Sequence, residues 1–198
     1  MARFVSWDSN LRMISLTLNP INPRIEHTFE NSPRRILFDR GEGWWEGSAT
    51  FGPVRDAQAV GGIEAFFAAL NEGDCYTSLP LTDAKLIQKS QVGSLNINRV
   101  GANGGVQTSR FLSNDSFGTY WHNSTKQNTR MLVSQTFDTF GTFNIFQPNR
   151  LWEVGDTISP STSINIRLNT AVNLPLTPHW AGGWTMEFTE WRARNVRT

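Results

Sequence analysis

Apolar and polar residues alternate over short stretches along most of the chain, which is the pattern of β-strands with one buried face. The first stretch covers residues 13–18, and its apolar face carries Ile14, Leu16 and Leu18. Pro20 ends this strand, because proline lacks the amide hydrogen that strand pairing needs. The second stretch covers residues 44–51, and one of its faces carries Trp45, Ala49 and Phe51.

The last quarter of the chain adds two strands of the same kind. Residues 163–169 predict a strand whose inward face carries Ile164, Ile166 and Leu168. Residues 184–191 predict another, whose inward face carries Trp184, Met186 and Phe188. Shorter stretches near residues 94–98, 131–137 and 142–146, with an extended segment at residues 76–81, bring the total to seven or eight predicted strands.

One segment follows the period of a helix instead. Within residues 62–72, apolar side chains recur at positions i, i+3, i+4 and i+7, and they are Ile63, Phe66, Phe67 and Leu70. Glu64 lies in the first turn, where the helix dipole favours an anion, and Gly73 suits a C-cap. This pattern predicts the only long helix of the chain, packed on a sheet.

Together these elements predict a mainly β fold, an antiparallel β-sandwich with one short flanking α-helix. We expect a single domain over residues 1–198, with an N-terminal arm at about residues 1–12 and a long, loop-rich insertion at about residues 88–130. The predicted core consists of Trp45, Phe51, Ile63, Phe66, Phe67, Leu70, Ile164, Ile166, Leu168, Met186 and Phe188.

Composition and charge narrow the classes of function. The formal net charge is +1, which gives no electrostatic basis for binding nucleic acid. No apolar run approaches the length of a membrane helix, and residues 1–8 lack the apolar core of a signal peptide. We therefore expect a protein that folds in the cytoplasm and does not insert into a membrane.

No group of residues has the spacing of a catalytic or metal site. His27, His122 and His179 are isolated from one another, and Cys75 follows the predicted helix at its C-terminal end, where a thiolate is not stabilised. Glu187 and Glu190 point to opposite faces of one strand. The glycine pairs lack the spacing of phosphate-binding loops. We therefore expect no enzymatic activity, no metal and no cofactor.

The eight tryptophans suggest an alternative class of function. Exposed indole rings bind sugars in carbohydrate-binding modules, and Trp121 and Trp180 lie in polar, turn-like segments. Most tryptophans, however, are buried in a core or in a subunit interface. A carbohydrate-binding module is therefore the alternative hypothesis from outside the structural class.

One ordered series of segments resembles a known family. The segment GWWEGSATFGP at residues 43–53 is followed by IEAFFAAL at residues 63–70 and by CYTSLPL at residues 75–81. A tryptophan-containing strand, a short helix and an extended segment ending near Leu-Pro resemble, in this order, the small tail proteins of tailed bacteriophages. The similarity covers about residues 36–81 and is to the distal-tail or minor-tail class.

This resemblance implies a structural virion protein that forms a homo-oligomeric ring, a hexamer, in the tail-tip region. Such a ring joins the tail tube to the baseplate or fibres, so its partners are copies of itself and the tube, hub and fibre proteins. A head–tail connector or neck protein is the alternative within the same class. The arm up to Arg12 and the loops at residues 101–130 are long enough to reach neighbouring subunits, and Arg3 and Arg12 are candidate interface residues.

Overall fold

The computed structural model of the chain shows a mainly β protein. It describes residues 2–28, 35–39, 42–81, 93–101, 104–110, 112, 118–123, 127–136, 142–172, 174, 176–177, 180–181 and 183–192. The helix in this part of the chain is α1 (Ala57–Asn71). The strands are β1 (Arg3–Phe4), β2 (Met13–Ile21), β3 (Arg24–Thr28), β4 (Arg35–Asp39), β5 (Trp44–Phe51), β6 (Cys75–Pro80), β7 (Leu95–Val100), β8 (Val106–Thr108), β9 (Tyr120–Asn123), β10 (Asn128–Thr136), β11 (Thr142–Gln147), β12 (Thr157–Pro160), β13 (Ser163–Leu168), β14 (Leu176–Thr177), β15 (Trp180–Ala181) and β16 (Trp184–Glu190).

The chain forms two compact units where the sequence predicts one. The sheet unit consists of Met1–Asn19, Trp45–Ile87 and Thr162–Thr198. The barrel unit consists of Pro20–Trp44 and Gln88–Ser161. Each unit is discontinuous in sequence, so local patterns along the chain do not reveal the division.

The sheet unit contains a six-stranded sheet in the order β1-β6-β13-β16-β5-β2. The pairs β6–β13, β13–β16 and β16–β5 are antiparallel, whereas β1 runs parallel to β6. Along β16 and β5, Trp184 lies opposite Phe51 and Met186 lies opposite Ala49, so these side chains share one face. This face is buried, and Phe67 of α1 packs edge-on against Trp184 there, with ring centroids 6.3 Å apart.

Ten of the eleven predicted core residues are buried, with exposures of 6% or less. Leu168 is only half-buried, which differs from the prediction. It is the last residue of β13 and lines a cavity at the end of the sheet, so no side chain covers it fully.

The α1 helix begins at Ala57, five residues before the predicted start. Asp56 forms the N-cap, and its side chain accepts a hydrogen bond from the amide of Gln58 at 3.3 Å. Gly61 and Gly62, which mark the predicted boundary, lie inside the helix. The buried stripe extends through Ala59 and Val60, so the apolar face is longer than the predicted one.

The N-terminal segment is not a free arm, contrary to the prediction. Arg3 and Phe4 pair with Cys75 and Tyr76 as strand β1. The ring of Trp7 packs 5.6 Å from that of Phe66 and 6.0 Å from that of Phe51. Leu11 is also buried. This segment completes the core of the sheet unit.

The first predicted strand is oriented differently from the prediction. The side chain of Ile14 is 66% exposed, and Leu16 and Leu18 are half-buried, whereas Met13 is buried. The reason is the position of β2 at the edge of the sheet. An edge strand packs on neighbours from one side only, so its alternating pattern does not require a fully buried face.

The barrel unit is a closed six-stranded barrel in the order β10-β11-β8-β7-β12-β9, with antiparallel pairing throughout. Strands β7, β8 and β9 lie within residues 88–130, which the sequence analysis predicts to be mainly loop. Their lengths are three to six residues, too short for a clear period. The barrel has its own buried cluster, Leu95, Ile97, Val106, Leu112, Trp121, Met131, Phe146, Trp152 and Ile158. The predicted sandwich is therefore replaced by a helix-covered sheet and a separate barrel.

Candidate functional site

The sheet unit has two unlike edges. At one edge lies β2, a nine-residue strand whose residues up to Asn19 belong to this unit and are mostly exposed. At the other edge lies β1, which covers only two residues of β6. In the described part of the chain no strand pairs with the outer side of either β1 or β2.

The face of this sheet opposite α1 is polar and partly exposed. Register places Glu46 opposite Thr189 and Thr189 opposite Arg167, so these three side chains form a row across β5, β16 and β13. On the same face, four residues further along β5, the hydroxyl groups of Thr50 and Thr185 lie 3.2 Å apart. This surface offers hydrogen-bonding groups rather than a second apolar layer.

Three aromatic rings form a row on the same face, here called the aromatic row. The rings of Tyr76 and Trp191 are stacked, with centroids 3.7 Å apart and planes 3° from parallel. Phe4 packs against Tyr76 with a centroid distance of 5.4 Å and is 51% exposed. Tyr76 and Trp191 are both half-buried. No local pattern in the sequence predicts this row, because its members come from β1, β6 and the residue after β16.

A cavity of about 600 Å³, here called the end cavity, opens at one end of the sheet. Its walls come from the end of α1, from the turn after β13 and from the row of Glu46, Thr189 and Arg167. Two hydrogen bonds fix the walls, since Asn71 accepts from the amide of Val172 at 3.3 Å and Thr189 donates to the side-chain oxygen of Asn169 at 2.5 Å.

Arg3, a predicted interface residue, makes contacts within its own chain. Its guanidinium lies 3.2 Å from the carboxylate of Glu72 and donates to the carbonyl of Ala69 at 3.4 Å. Both charged side chains are more than half exposed, so solvent weakens the ion pair. Arg12 is exposed, and its carbonyl accepts a hydrogen bond from the amide of Gly52 at 2.9 Å.

Trp121, a candidate for sugar contact, has no exposed surface. It belongs to β9 and packs in the barrel core, so it cannot act as a sugar platform, and the prediction is wrong for this residue. Trp180 lies in β15, where it pairs with Thr177. The orientation of its side chain lies outside what the structure describes.

Buried polar groups hold the barrel unit together. The Arg150 guanidinium is buried and donates to the carbonyls of Gly43 and Asn128. The amide of Gly43 donates to the carbonyl of Asn149 at 2.8 Å. These bonds tie the segment that precedes β5 to the strands of the barrel. Each of these hydrogen bonds gives a backbone carbonyl group a partner in place of the water that it loses on burial.

Tyr120 and Arg130 interact in the barrel unit, and this interaction affects the phenol of Tyr120. Burial raises the pKa of its phenol above the ordinary value, and the positive charge and hydrogen bond of Arg130 oppose this effect. The Arg130 guanidinium lies 5.5 Å from the ring centroid and donates to the carbonyl of Gly118 at 3.1 Å. The phenol is therefore neutral at physiological pH.

Other features of the described residues bear on chemistry. No three His, Cys, Asp or Glu side chains among them cluster closely enough to hold a metal ion. Glu190 is buried, and its carboxylate accepts a hydrogen bond from the Trp45 amide at 3.2 Å, whereas Glu187 is exposed on the other face. None of the helices within the described ranges has the length and apolar character needed to cross a membrane.

The chain matches none of the protein-family models and none of the curated proteins with which it was compared.

Proposed function

We propose that this protein is a structural subunit of a bacteriophage tail, which assembles with copies of itself into a closed hexameric ring in the tail-tip region. There the ring would join the tail tube to the baseplate or fibres. The proposal is for a structural protein rather than an enzyme. The observation that carries it is the pair of unlike edges on the sheet unit.

A closed ring requires head-to-tail contacts, so each subunit must present two different surfaces that complement each other. An unpaired strand edge is a ready template for pairing with another chain. The sheet unit offers the long edge of β2 and, with four strands between them, the short edge of β1. Joining one edge to the other between neighbours would continue the sheet around the ring.

The resemblance of residues 36–81 to distal-tail and minor-tail proteins supports the same proposal. In the structure, that stretch contains the end of the barrel unit's first segment, followed by β5, α1 and β6. The number of six subunits is implied by this resemblance, and no spacing in the sequence predicts it. A head–tail connector or neck protein is the alternative within the same class, so the position in the particle needs its own experiment.

The first experiment measures the mass of the purified protein by sedimentation and native mass spectrometry. We expect a closed hexamer that dissociates when two lysines are placed on the β2 edge, as Ser15→Lys with Thr17→Lys, because charges on an edge block strand addition. The control carries two lysines on the exposed side of α1, as Gln58→Lys with Ala65→Lys. A strict monomer at high concentration would contradict the proposal.

The second experiment locates the protein in phage particles with a gold-labelled antibody and electron microscopy. Label at the tail end farthest from the capsid is the expected result. Label at the head–tail joint would favour the connector alternative. Absence of label from all particles would reject both assignments.

A further inference from the structure

The end cavity has the size and lining of a site for a small polar molecule. Its volume of about 600 Å³ falls within the range of ligand pockets in proteins, roughly 300–1,000 Å³. Its lining includes the charged residues Glu46, Asp74 and Arg167 and the apolar residues Leu70, Leu168 and Ala171. The charged groups would lose hydrogen bonds to water beside an apolar ligand, so the lining favours a polar molecule over a lipid.

The lining also discriminates among polar ligands. Two carboxylates repel an anion such as phosphate, and the α1 helix ends at this cavity with the negative end of its dipole. The positive charge of the Arg167 guanidinium repels a simple cation. Carboxylates accept hydrogen bonds and the guanidinium donates them, and the side-chain NH₂ groups of Asn71 and Asn169 are further donors, since their oxygens already accept from Val172 and Thr189. A neutral molecule rich in hydroxyl groups satisfies all three kinds of group.

The aromatic row lies beside this cavity in the sheet. The β13–β6 ladder pairs Ile166 with Thr77, and the next position along it places Arg167 beside Tyr76 on the polar face. Trp191 continues the pairing of β16, since its amide donates to the carbonyl of Asn165 at 2.8 Å. Because Tyr76 is stacked on Trp191 and packed against Phe4, the row offers a ligand its ring edges and the outer face of the Trp191 indole rather than a Tyr76 face. Such a surface next to hydrogen-bonding groups suits a sugar ring, which has one face of C–H bonds and a rim of hydroxyls.

We propose that the end cavity binds a neutral saccharide, with its hydroxyls held by Glu46, Asp74 and Arg167 and an adjoining sugar lying along the aromatic row. This site differs from the sugar sites that the sequence analysis considered, Trp121 and Trp180. It does not depend on ring formation, because every residue that forms it comes from the sheet unit of one chain.

Saturation-transfer NMR with methyl glycosides of glucose, galactose, N-acetylglucosamine and rhamnose tests the site on the full chain. At ligand concentrations up to about 10 mM, we expect saturable binding of at least one glycoside with a Kd of about 0.1–5 mM. Arg167→Gln should weaken this binding at least about tenfold, because a donor to the hydroxyls is lost. Ala171→Trp should abolish it by filling the cavity from its exposed turn.

The matched control is Glu64→Gln, which removes a carboxylate from the exposed side of α1 and should leave the affinity unchanged. Circular dichroism and the Tm establish that each variant is folded. Failure of all four glycosides to bind would overturn the proposal, as would binding that persists in Ala171→Trp. Saturable binding of N-acetyl-arginine amide, under conditions where no glycoside binds, would instead identify a basic peptide as the ligand and would also overturn the proposal.

Discussion

Tyr76 and Trp191 stack face to face on the polar side of the sheet, with 3.7 Å between their ring centroids. Tyr76 belongs to β6, and Trp191 directly follows β16, which lies two strands away in the order β6-β13-β16. The stack therefore bridges across β13 and couples two strands that share no ladder. It covers part of a sheet face that α1 does not reach.

This stack should contribute measurably to the stability of the sheet unit. Aromatic pairs contribute about 0.5–1.5 kcal/mol beyond the area that they bury. A double-mutant cycle with Tyr76→Ala, Trp191→Ala and both together, followed by urea unfolding, should give a coupling energy in that range. Additive effects of the two single substitutions would show that the rings do not stabilise each other.

Phe66 should be among the most sensitive positions of the helix. Its side chain is buried between α1 and the sheet and contacts the rings of Trp7 and Phe67. Phe66→Ala should lower the free energy of unfolding by about 3–5 kcal/mol, because it removes buried apolar surface and leaves a cavity. Chemical denaturation measures the change. Ile14→Ala, at an exposed position of the same unit, is the control and should cost less than about 1 kcal/mol.

Gly43 should tolerate no side chain. A Cβ atom there would lie 2.5 Å from the Asn22 Oδ1 atom and 2.7 Å from the Pro148 Cβ atom, and it would also meet the carbonyl oxygen of Ile21. Gly43→Ala should destabilise the barrel unit by about 1–3 kcal/mol, the usual cost of overpacking. The matched control is Gly93→Ala, where the added Cβ meets no atom within 4 Å. Equal Tm values for the two variants would contradict the predicted crowding.

The stability of the barrel unit should fall at alkaline pH because of Tyr120. Burial raises the pKa of this phenol in the folded chain, whereas the unfolded chain ionises near the ordinary value of 10.0. The stabilisation from the neutral, buried phenol is therefore complete below pH 10.0 and is lost as the pH rises through the higher folded-state pKa.

Urea midpoints measured between about pH 8 and pH 11 should reveal this loss. Tyr120→Phe removes the titrating group and should flatten the part of the pH dependence that belongs to it. Tyr76, the other tyrosine, and the three lysines are present in both proteins, so the comparison isolates Tyr120. The same alkaline slope in the wild type and in Tyr120→Phe would disprove the assignment.

Local patterns in the sequence predict the parts of the fold that bury residues close together in the chain. The spacing of Ile63, Phe66, Phe67 and Leu70 predicts α1, and the alternation of Trp184, Met186 and Phe188 predicts β16 with its correct inward face. In these segments one side meets the core and the other meets solvent. Burial then leaves a period of 3.6 or 2 in the sequence, which can be detected without any knowledge of the partner.

The candidate site could not be predicted in this way. Arg167, Glu46 and Thr189 stand on three different strands and come together only through the pairing of β5, β16 and β13. Tyr76 and Trp191 alternate with buried neighbours, so their positions mark them as outward-facing once the strand register is known. The sequence itself contains no sign that the two rings meet.

By itself, the sequence determined a mainly β chain with one amphipathic helix and most of one core, because those features depend on each segment's own alternation of apolar and polar residues. Only the tertiary structure decided that Trp121 belongs to a closed barrel, that Ile14 lies on an exposed edge and that residues 1–12 complete the sheet unit. Barrel closure and edge position depend on which distant strands pair, and backbone hydrogen bonds between strands are nearly the same for every side chain. Pairing of this kind is therefore set by the packing of the whole unit and not by any local pattern.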